Sequence, residues 1–273
     1  MKFLKFWKMS GSGNDFVVID NRKKIINGNA PAWAKRLCFR QEGVGADGLL
    51  LLEPSKTADF RMVYYNADGS RASMCGNGAR CMAWFAHEHG AVGSRFRFET
   101  DAYPIDAVVA NGRVRITLAD ARDYRPSVIA KVGTKTFRGA SINTGVPHLV
   151  VFVPNVKTVD VSALGRPLRF HSVFAPKGTN VNFVQVLGPR KLAVRTYERG
   201  VEGETLACGT GVTASAIAAV LAGKVKGPVQ CVTSGGDTLT VHLTPTPAGS
   251  VHAASDIALE GPVRLTFKGE VRV

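Results

Sequence analysis

Two cysteines sit in matching frames, Cys75-Gly76-Asn77-Gly78 and Cys208-Gly209-Thr210-Gly211, and each is followed by an apolar run. Residues 212–221 are almost entirely Ala, Val, Ile and Leu with no polar face, which predicts a helix buried on all sides. A helix start leaves about four backbone N–H groups without intrahelical partners and carries roughly half a positive charge. Glycines beside the cysteine let a ligand carboxylate approach those N–H groups closely. The same field favours thiolate over thiol and lowers a cysteine pKa from about 8.5 toward neutrality. Each turn therefore offers an anion cradle beside an acid/base group that works near pH 7. One such turn alone is ordinarily a tight bend around a small buried side chain. Two, at equivalent places in a repeated chain, argue for chemistry. If one thiol removes a proton and an opposed thiol returns one on the other face, a carbon centre is inverted. Paired cysteines also serve as a redox disulfide, or as a nucleophile with a histidine partner.

The elements that must hold these turns repeat along the chain. Gly13-Asn14-Asp15 leads into an aliphatic run at 16–19, as Gly145-Val146-Pro147-His148 leads into one at 149–152. Gly48 precedes residues 49–52 as Asn180 precedes 183–187, and residues 60–65 precede the first cysteine as 192–197 precede the second. The offset is 132 residues for Asn14 and Val146, for Gly48 and Asn180, and for Asn66 and Glu198, but 133 for the cysteines. One residue has therefore been added between Glu198 and Cys208. The repeat predicts two similar α/β units facing each other, with a boundary near Asp123-Tyr124-Arg125-Pro126. Around the turns, the spacing predicts a helix over 31–40, strands over 49–52 and 60–64, and a helix over 82–89 ended by Gly90. Alternation at 105–109 and 114–118 about Asn111-Gly112 predicts a hairpin. Gly43-Val44-Gly45-Ala46-Asp47-Gly48 spells G-x-G-x-x-G, but it follows a helix and enters a strand, the wrong context for a dinucleotide site.

Composition narrows the function classes. The 273 residues are 45% hydrophobic and 21% charged, which suits globular units with real cores. No apolar run approaches the roughly 18 residues that span a membrane. Residues 1–8 are cationic but lack an apolar region and a cleavage site, so no signal peptide is read and a cytoplasmic location is expected. The net charge is +14, yet the basic residues are scattered and the densest cluster is Arg22-Lys23-Lys24. A basic nucleic-acid-binding module is the reading from another class; a solvated basic surface that attracts acidic ligands fits better, with no nucleic-acid or membrane partner expected. Five cysteines, without a C-x-x-C pair, argue for reduced thiols and against structural zinc. Cys38, Cys81 and Cys231 lack the glycine frame and read as core thiols. His148 reads equally as a capped, partly buried histidine, and Glu198-Arg199 as a surface pair.

Taken together, Lys8-Met9-x-Gly11-x-Gly13-Asn14-Asp15-Phe16, Gly43 to Gly48, Tyr65-Asn66-Ala67-Asp68-Gly69-Ser70 with Cys75-Gly76-Asn77-Gly78-Ala79-Arg80, Asn180-Val181-Asn182-Phe183, and Glu198-Arg199-Gly200 with Gly203-Glu204-Thr205-Leu206-Ala207-Cys208-Gly209-Thr210-Gly211 resemble the diaminopimelate epimerase family over nearly the whole chain. These enzymes interconvert LL- and meso-diaminopimelate without a cofactor. The resemblance implies Cys75 and Cys208 as the two acid/base residues. It implies Asn14, Asn66, Asn180, Glu198 and Arg199 as ligands of the amino acid and its distal end. Gly76-Asn77 and Gly209-Thr210 would hold the reacting carboxylate, and His148 and Glu198 would tune the thiols. The implied fold is α/β (α+β), with two pseudo-symmetric domains, each a β-barrel-like sheet wrapped around a central helix, and the active site in the cleft between them. The last strand would return to the first domain, giving 1–122 with 263–273, and 123–262. A homodimer using the edge around Phe267 is also implied, and a small amino-acid substrate with no metal and no cofactor.

Three departures stand out. Val146 replaces an asparagine common before Pro-His, Gly48 stands where glutamine is frequent, and Glu202 is the added residue. The near alternative is a racemase or epimerase of proline, hydroxyproline or a basic amino acid, and a phenazine-type isomerase lacks the thiol pair. The paired cysteines argue against the last, and Cys-Gly-Asn-Gly, rather than a histidine-bearing turn, argues against the proline group.

Overall fold

Runs such as residues 16–19 and 49–52 have no polar alternation because both faces of the strands they form are covered. The computed structural model describes residues 3–246 and 250–272. Met1, Lys2 and Val273, which belong to the expected terminal ranges, lie outside the described residues. The chain divides into two units, Met1–Thr117 with Gly261–Val273, and Leu118–Glu260. Residues 123–126, where a boundary was expected, run inside a strand, and the division falls between Thr117 and Leu118.

The first unit contains β1 (Phe3–Gly11), β2 (Asn14–Asp20), α1 (Ala30–Cys38), β3 (Gly48–Glu53), β4 (Phe60–Asn66), β5 (Arg71–Ala72), α2 (Gly76–Glu88), β6 (Arg95–Glu99), β7 (Ile105–Ala110) and β8 (Arg113–Thr117). The second begins with β9 (Ala121–Val132), β10 (Lys135–Asn143), β11 (Pro147–Phe152), α3 (Val161–Arg169), β12 (Asn180–Gly188) and β13 (Lys191–Glu198). It continues with β14 (Gly203–Thr205), α4 (Gly209–Leu221), β15 (Val229–Thr233), β16 (Thr238–Pro245) and β17 (His252–Pro262). The last strand, β18 (Arg264–Arg272), pairs antiparallel with β1 and so returns to the first unit.

In the first unit the strand order is β18–β1–β2–β3–β4–β6–β7–β8, with the short β5 beside the end of β4. Helix α2 touches β1, β2, β3, β4, β7 and β8, strands from both ends of that order, so the sheet curls around it. In the second unit the order β9–β10–β11–β12–β13–β15–β16–β17 closes on itself, because β17 also pairs with β9. Helix α4 runs inside it, touching β10, β11, β12, β13, β15 and β16. That enclosure accounts for its all-apolar composition: its residues from Gly211 to Ala219 are buried. Each buried Val or Ile there contributes about 1.5–3 kcal/mol.

Outside each sheet lies a second helix. Val17, Ile19, Leu49 and Leu51 pack against Leu37 and Cys38 of α1, while Phe16 and Leu50 face the start of α2. Likewise Val181 and Phe183 pack with Val161 and Leu168 of α3, while Asn182 faces α4. The sequence repeat is a repeat of register. Phe16 pairs with Gly48 and Leu49 with Tyr65; 132 residues on, His148 pairs with Asn180 and Val181 with Tyr197. The added residue lies in the β13–β14 turn, since Tyr65 pairs with Arg71 but Tyr197 with Glu204.

Candidate active site

Gly-Asn-Gly and Gly-Thr-Gly are poor helix formers, and residue spacing places the first helix only at 82–89. In the structure both helices begin immediately after the cysteine and run for 13 residues, with Cys75 and Cys208 as their N-caps. A buried helix start leaves N–H groups that need partners, and a cysteine there is placed to supply one. The Cys75 sulfur accepts from the Gly78 N–H at 3.4 Å. The Cys208 sulfur makes no such cap and lies 3.4 Å from the Thr210 hydroxyl instead. Cys75 is half-buried and Cys208 is buried. None of the five cysteines is disulfide-bonded. Burial pushes the Cys38 and Cys81 thiols up to about 12 and also raises Cys231, as expected of core thiols.

Around Cys75 a chain of polar groups orders the first unit. Asn77 Nδ2 donates to Asn14 Oδ1 at 2.8 Å, and Asn14 Nδ2 donates to Asp47 at 2.9 Å. Arg80, fully buried, donates to Asn77 Oδ1 at 2.8 Å and to Ser12 Oγ at 3.0 Å. Arg40 joins Asp15 and Asp47 at 2.9 and 2.7 Å, and Lys8 reaches Asp15 at 2.8 Å. Burial alone would raise the Asp15 pKa, but its hydrogen bonds to Arg40 and Lys8 outweigh that and hold it at about 2. A carboxylate whose folded pKa is depressed adds stability above its unfolded pKa and loses it as pH falls through the folded value. Acid unfolding should therefore steepen between about pH 4 and pH 2. Asp15→Asn should remove that part of the pH dependence while lowering stability at pH 7, measured by urea denaturation across pH. Asn66 donates to Ser70 Oγ at 2.9 Å and lines a cavity of about 530 Å³ with Arg40, Asp47 and Asp68.

Gly48 is forced by its neighbour. A Cβ there would stand 2.5 Å from Tyr64 Cε2 and 2.7 Å from the Tyr65 carbonyl oxygen. The Tyr64 ring, packed edge-on to Phe16, fills the space a side chain would need. Burial first, and then the charge of Cys75, raises the Tyr64 phenol above its ordinary range.

Around Cys208 the second unit supplies Glu198, His148, Asn180 and Arg199. Burial raises the Glu198 carboxyl above the usual carboxylate range, while the Thr205 hydroxyl and the Cys208 thiol beside it pull the other way. His148 is fully buried; desolvation, then the charge of Arg199, drives its pKa down to about 3, so it is neutral at physiological pH. Its Nδ1 lies 3.1 Å from Asn182 Nδ2, which assigns the ring hydrogen to Nε2. That nitrogen is buried without a hydrogen-bond partner among the described residues. Asn180 donates to the Pro147 carbonyl at 3.1 Å and accepts the Arg199 N–H at 2.7 Å, so it fixes both segments. Thr210 offers its carbonyl to Thr144 Oγ1 at 3.0 Å. The added Glu202, at φ +57°, pairs with Arg169 at 3.1 Å and accepts the Gly200 N–H at 3.0 Å, closing its own turn.

The structure thus gathers Asn14, Gly76 and Asn77 at the Cys75 helix start, with Asn66 on the adjoining strand. Thr210, Glu198 and Gly209 gather at the Cys208 start, with His148, Asn180 and Arg199 held through β11–β13. Motif reading left several supporting groups without a role: Asp15, Asp47, Arg40 and Arg80 in the first unit, and Asn182 and Thr144 in the second. Asn182 had a signal, because the alternation Asn180-Val181-Asn182-Phe183 puts both amides on one strand face. Among the described residues no group of three or more His, Cys, Asp or Glu is placed to hold a metal ion, and no helix is long and apolar enough to cross a membrane.

A family model described as diaminopimelate epimerase matches residues 6–124 and 140–249. The diaminopimelate epimerase of Aquifex aeolicus (strain VF5) is 44% identical over 280 residues, covering 98% of each chain. Among solved structures, a Bacillus anthracis phenazine biosynthesis protein of the PhzF family has a TM-score of 0.73 at 15% identity, covering 100% of both chains. A probable proline racemase from Agrobacterium radiobacter K84 has a TM-score of 0.72 at 16% identity, covering 99% of this chain and 93% of the other. At such identities these two structures share the fold.

Proposed function

Because the chain belongs to the diaminopimelate epimerase family, we propose that it interconverts LL- and meso-diaminopimelate, with Cys75 and Cys208 as the two acid/base groups, one for each face of the reacting carbon. The observation that carries this reading is the repeated placement of the thiols: each caps a 13-residue buried helix at the same place in a repeated strand register. An α-proton beside a carboxylate is removable only if the developing enediolate charge is held. The N–H groups at a helix start, in a site that sheds water, supply that stabilisation. Gly76-Asn77 and Gly209-Thr210 provide those groups, so the chain's own residues suffice for proton transfer without an electron-sink cofactor.

The two thiols start in opposite states. Cys75 accepts a backbone N–H and begins as the base. Cys208, beside the Glu198 carboxyl, begins as the acid. Turnover reverses the pair, so the rate profile is bell-shaped in pH, with its two limbs belonging to the pair. His148, neutral and carrying hydrogen on Nε2, serves as a donor and not as a cation. Asn14, Asn66, Asn180, Glu198 and Arg199 bind the amino acid and its distal end. The same reading places the protein in the cytoplasm as a homodimer that uses the β18 edge near the exposed Phe267, in the supply of lysine and cell-wall precursors.

The test is incubation with LL-diaminopimelate in deuterated water without added cofactor. The expected result is the meso isomer carrying deuterium at one α-carbon, read by NMR. Deuterium uptake only into proline or another amino acid would transfer the reading to a related racemase, and no uptake into any amino acid would end it.

A further inference from the structure

The second unit has a cavity of about 430 Å³ whose lining includes Arg125, Ser141, Asn143, Lys177 and Arg199. Its charged lining residues are all cations; no Asp or Glu lines it. Elsewhere arginines meet carboxylates: Arg40 with Asp15 and Asp47, Arg97 with Asp106, Arg195 with Glu204. The two guanidiniums at this cavity are held by neutral groups instead. Arg125 donates to Ser141 Oγ at 3.3 Å and lies 5.9 Å from the centre of the Phe174 ring. Arg199 donates to the Lys177 carbonyl at 3.3 Å.

The nearest acid to Arg199 in the chain, Glu202, is drawn away from it. Arg169 takes the Glu202 carboxylate and donates to the same Lys177 carbonyl at 3.4 Å. Arg199 is thereby anchored at both ends, its backbone N–H on Asn180 and its guanidinium on Lys177, yet without a counter-charge. Two guanidiniums held on one concave surface repel, and an anion between them removes the repulsion. The planar fork of arginine matches a carboxylate with two parallel hydrogen bonds.

We propose that this cavity is a carboxylate subsite in which Arg125 acts as a second guanidinium beside Arg199, so that the substrate is selected as a dicarboxylic amino acid through the carboxylate remote from the reacting carbon. It rests on the reading that Arg199 binds the distal end of the amino acid. Arg125 is a binding residue, remote from the proton transfer. Its loss weakens binding of the substrate and of the transition state alike, which raises KM and leaves kcat nearly unchanged.

The experiment compares the wild-type chain with Arg125→Gln and Arg125→Lys. Steady-state epimerisation of LL-diaminopimelate is measured beside calorimetric titration with glutarate, a dicarboxylate lacking the α-amino group. Arg125→Gln should raise KM about ten- to a hundred-fold, with kcat within about threefold, and weaken glutarate by a similar factor. Arg125→Lys should recover part of both. Deuterium exchange at the α-carbon of lysine, which has no remote carboxylate, should be equal in wild type and Arg125→Gln. Unchanged KM and glutarate affinity in Arg125→Gln, a fall in kcat alone, or an equal loss with lysine would each overturn the proposal. So would Arg125-dependent binding of inorganic phosphate that does not compete with diaminopimelate, since the cavity would then serve a free anion. If the wild type fails to epimerise diaminopimelate, the functional reading fails, while the glutarate titration still decides the subsite.

Discussion

Cys208→Ala is expected to lower epimerisation by at least about 10²–10⁴-fold, and Cys75→Ala by a comparable factor. Each variant should nevertheless keep exchanging the α-hydrogen of one stereoisomer with solvent, a different stereoisomer for each cysteine. With two bases, inversion needs a proton removed from one face and delivered to the other. A chain with one thiol can still remove a proton on its own face and return a solvent-derived one to that face, which leaves configuration unchanged. The helix starts remain in both variants, so the N–H groups that hold the enediolate are retained. Truncation of a small thiol leaves only a minor void, and the fold should persist with a Tm lowered by a few degrees. The measurement is proton NMR of each purified stereoisomer in deuterated water. Full epimerisation by either alanine variant, or retention of exchange on the same stereoisomer by both, would sink the two-base reading.

Much of this fold is legible in the sequence because the repeat is written in residues that geometry constrains. Gly48 and Asn180 open strands at a 132-residue offset, and the registers of β3 with β4 and of β12 with β13 preserve it. The single added residue is likewise legible as a count, and the structure locates it in the turn that holds Glu202. The first turn of α2 is not legible by propensity, because Gly76-Asn77-Gly78 disfavours a helix and forms one only where Cys75 caps it and Phe16 and Leu50 pack on it. Nor is the polar chain from Lys8 through Asp15, Arg40 and Asp47 to Asn14, whose members lie 32 or more residues apart along β2 and the α1–β3 loop and have no local signal. The sequence makes Gly48 look like a missing side chain; the structure shows that Tyr64 has taken its space. In the same way, Asn14 and Asn77 read as free amides beside glycines, whereas they bond to each other.

Gly211→Ala should destabilise the chain by about 2–4 kcal/mol, although glycine to alanine inside a helix ordinarily gains about 1 kcal/mol. The added Cβ would stand 2.3 Å from Asn182 Oδ1 and 3.2 Å from Thr196 Oγ1. Asn182 cannot retreat cheaply. Its oxygen accepts from Thr196 Oγ1 at 2.9 Å, and its amide nitrogen donates to the Leu149 carbonyl and to His148 Nδ1, each at 3.1 Å. Displacing it leaves a buried carbonyl and a buried imidazole nitrogen without partners, and the ring cannot compensate by protonating because burial holds its pKa at about 3. The same Cβ lies 3.3 Å from that of Cys208, so the thiol shifts as well and turnover should fall with stability. Urea denaturation measures the first effect, with Gly93→Ala as a control: nothing lies within 4 Å of the added carbon there, and the change should stay within about 0.5 kcal/mol. Because the clash and the hydrogen bonds share one residue, Gly211→Ala and Asn182→Ala should be non-additive, the double variant being more stable than the sum of the single losses by about 1 kcal/mol or more. Strict additivity would mean that α4 and β12 yield independently, and that the amide of Asn182 does not hold the Cys208 helix start in place.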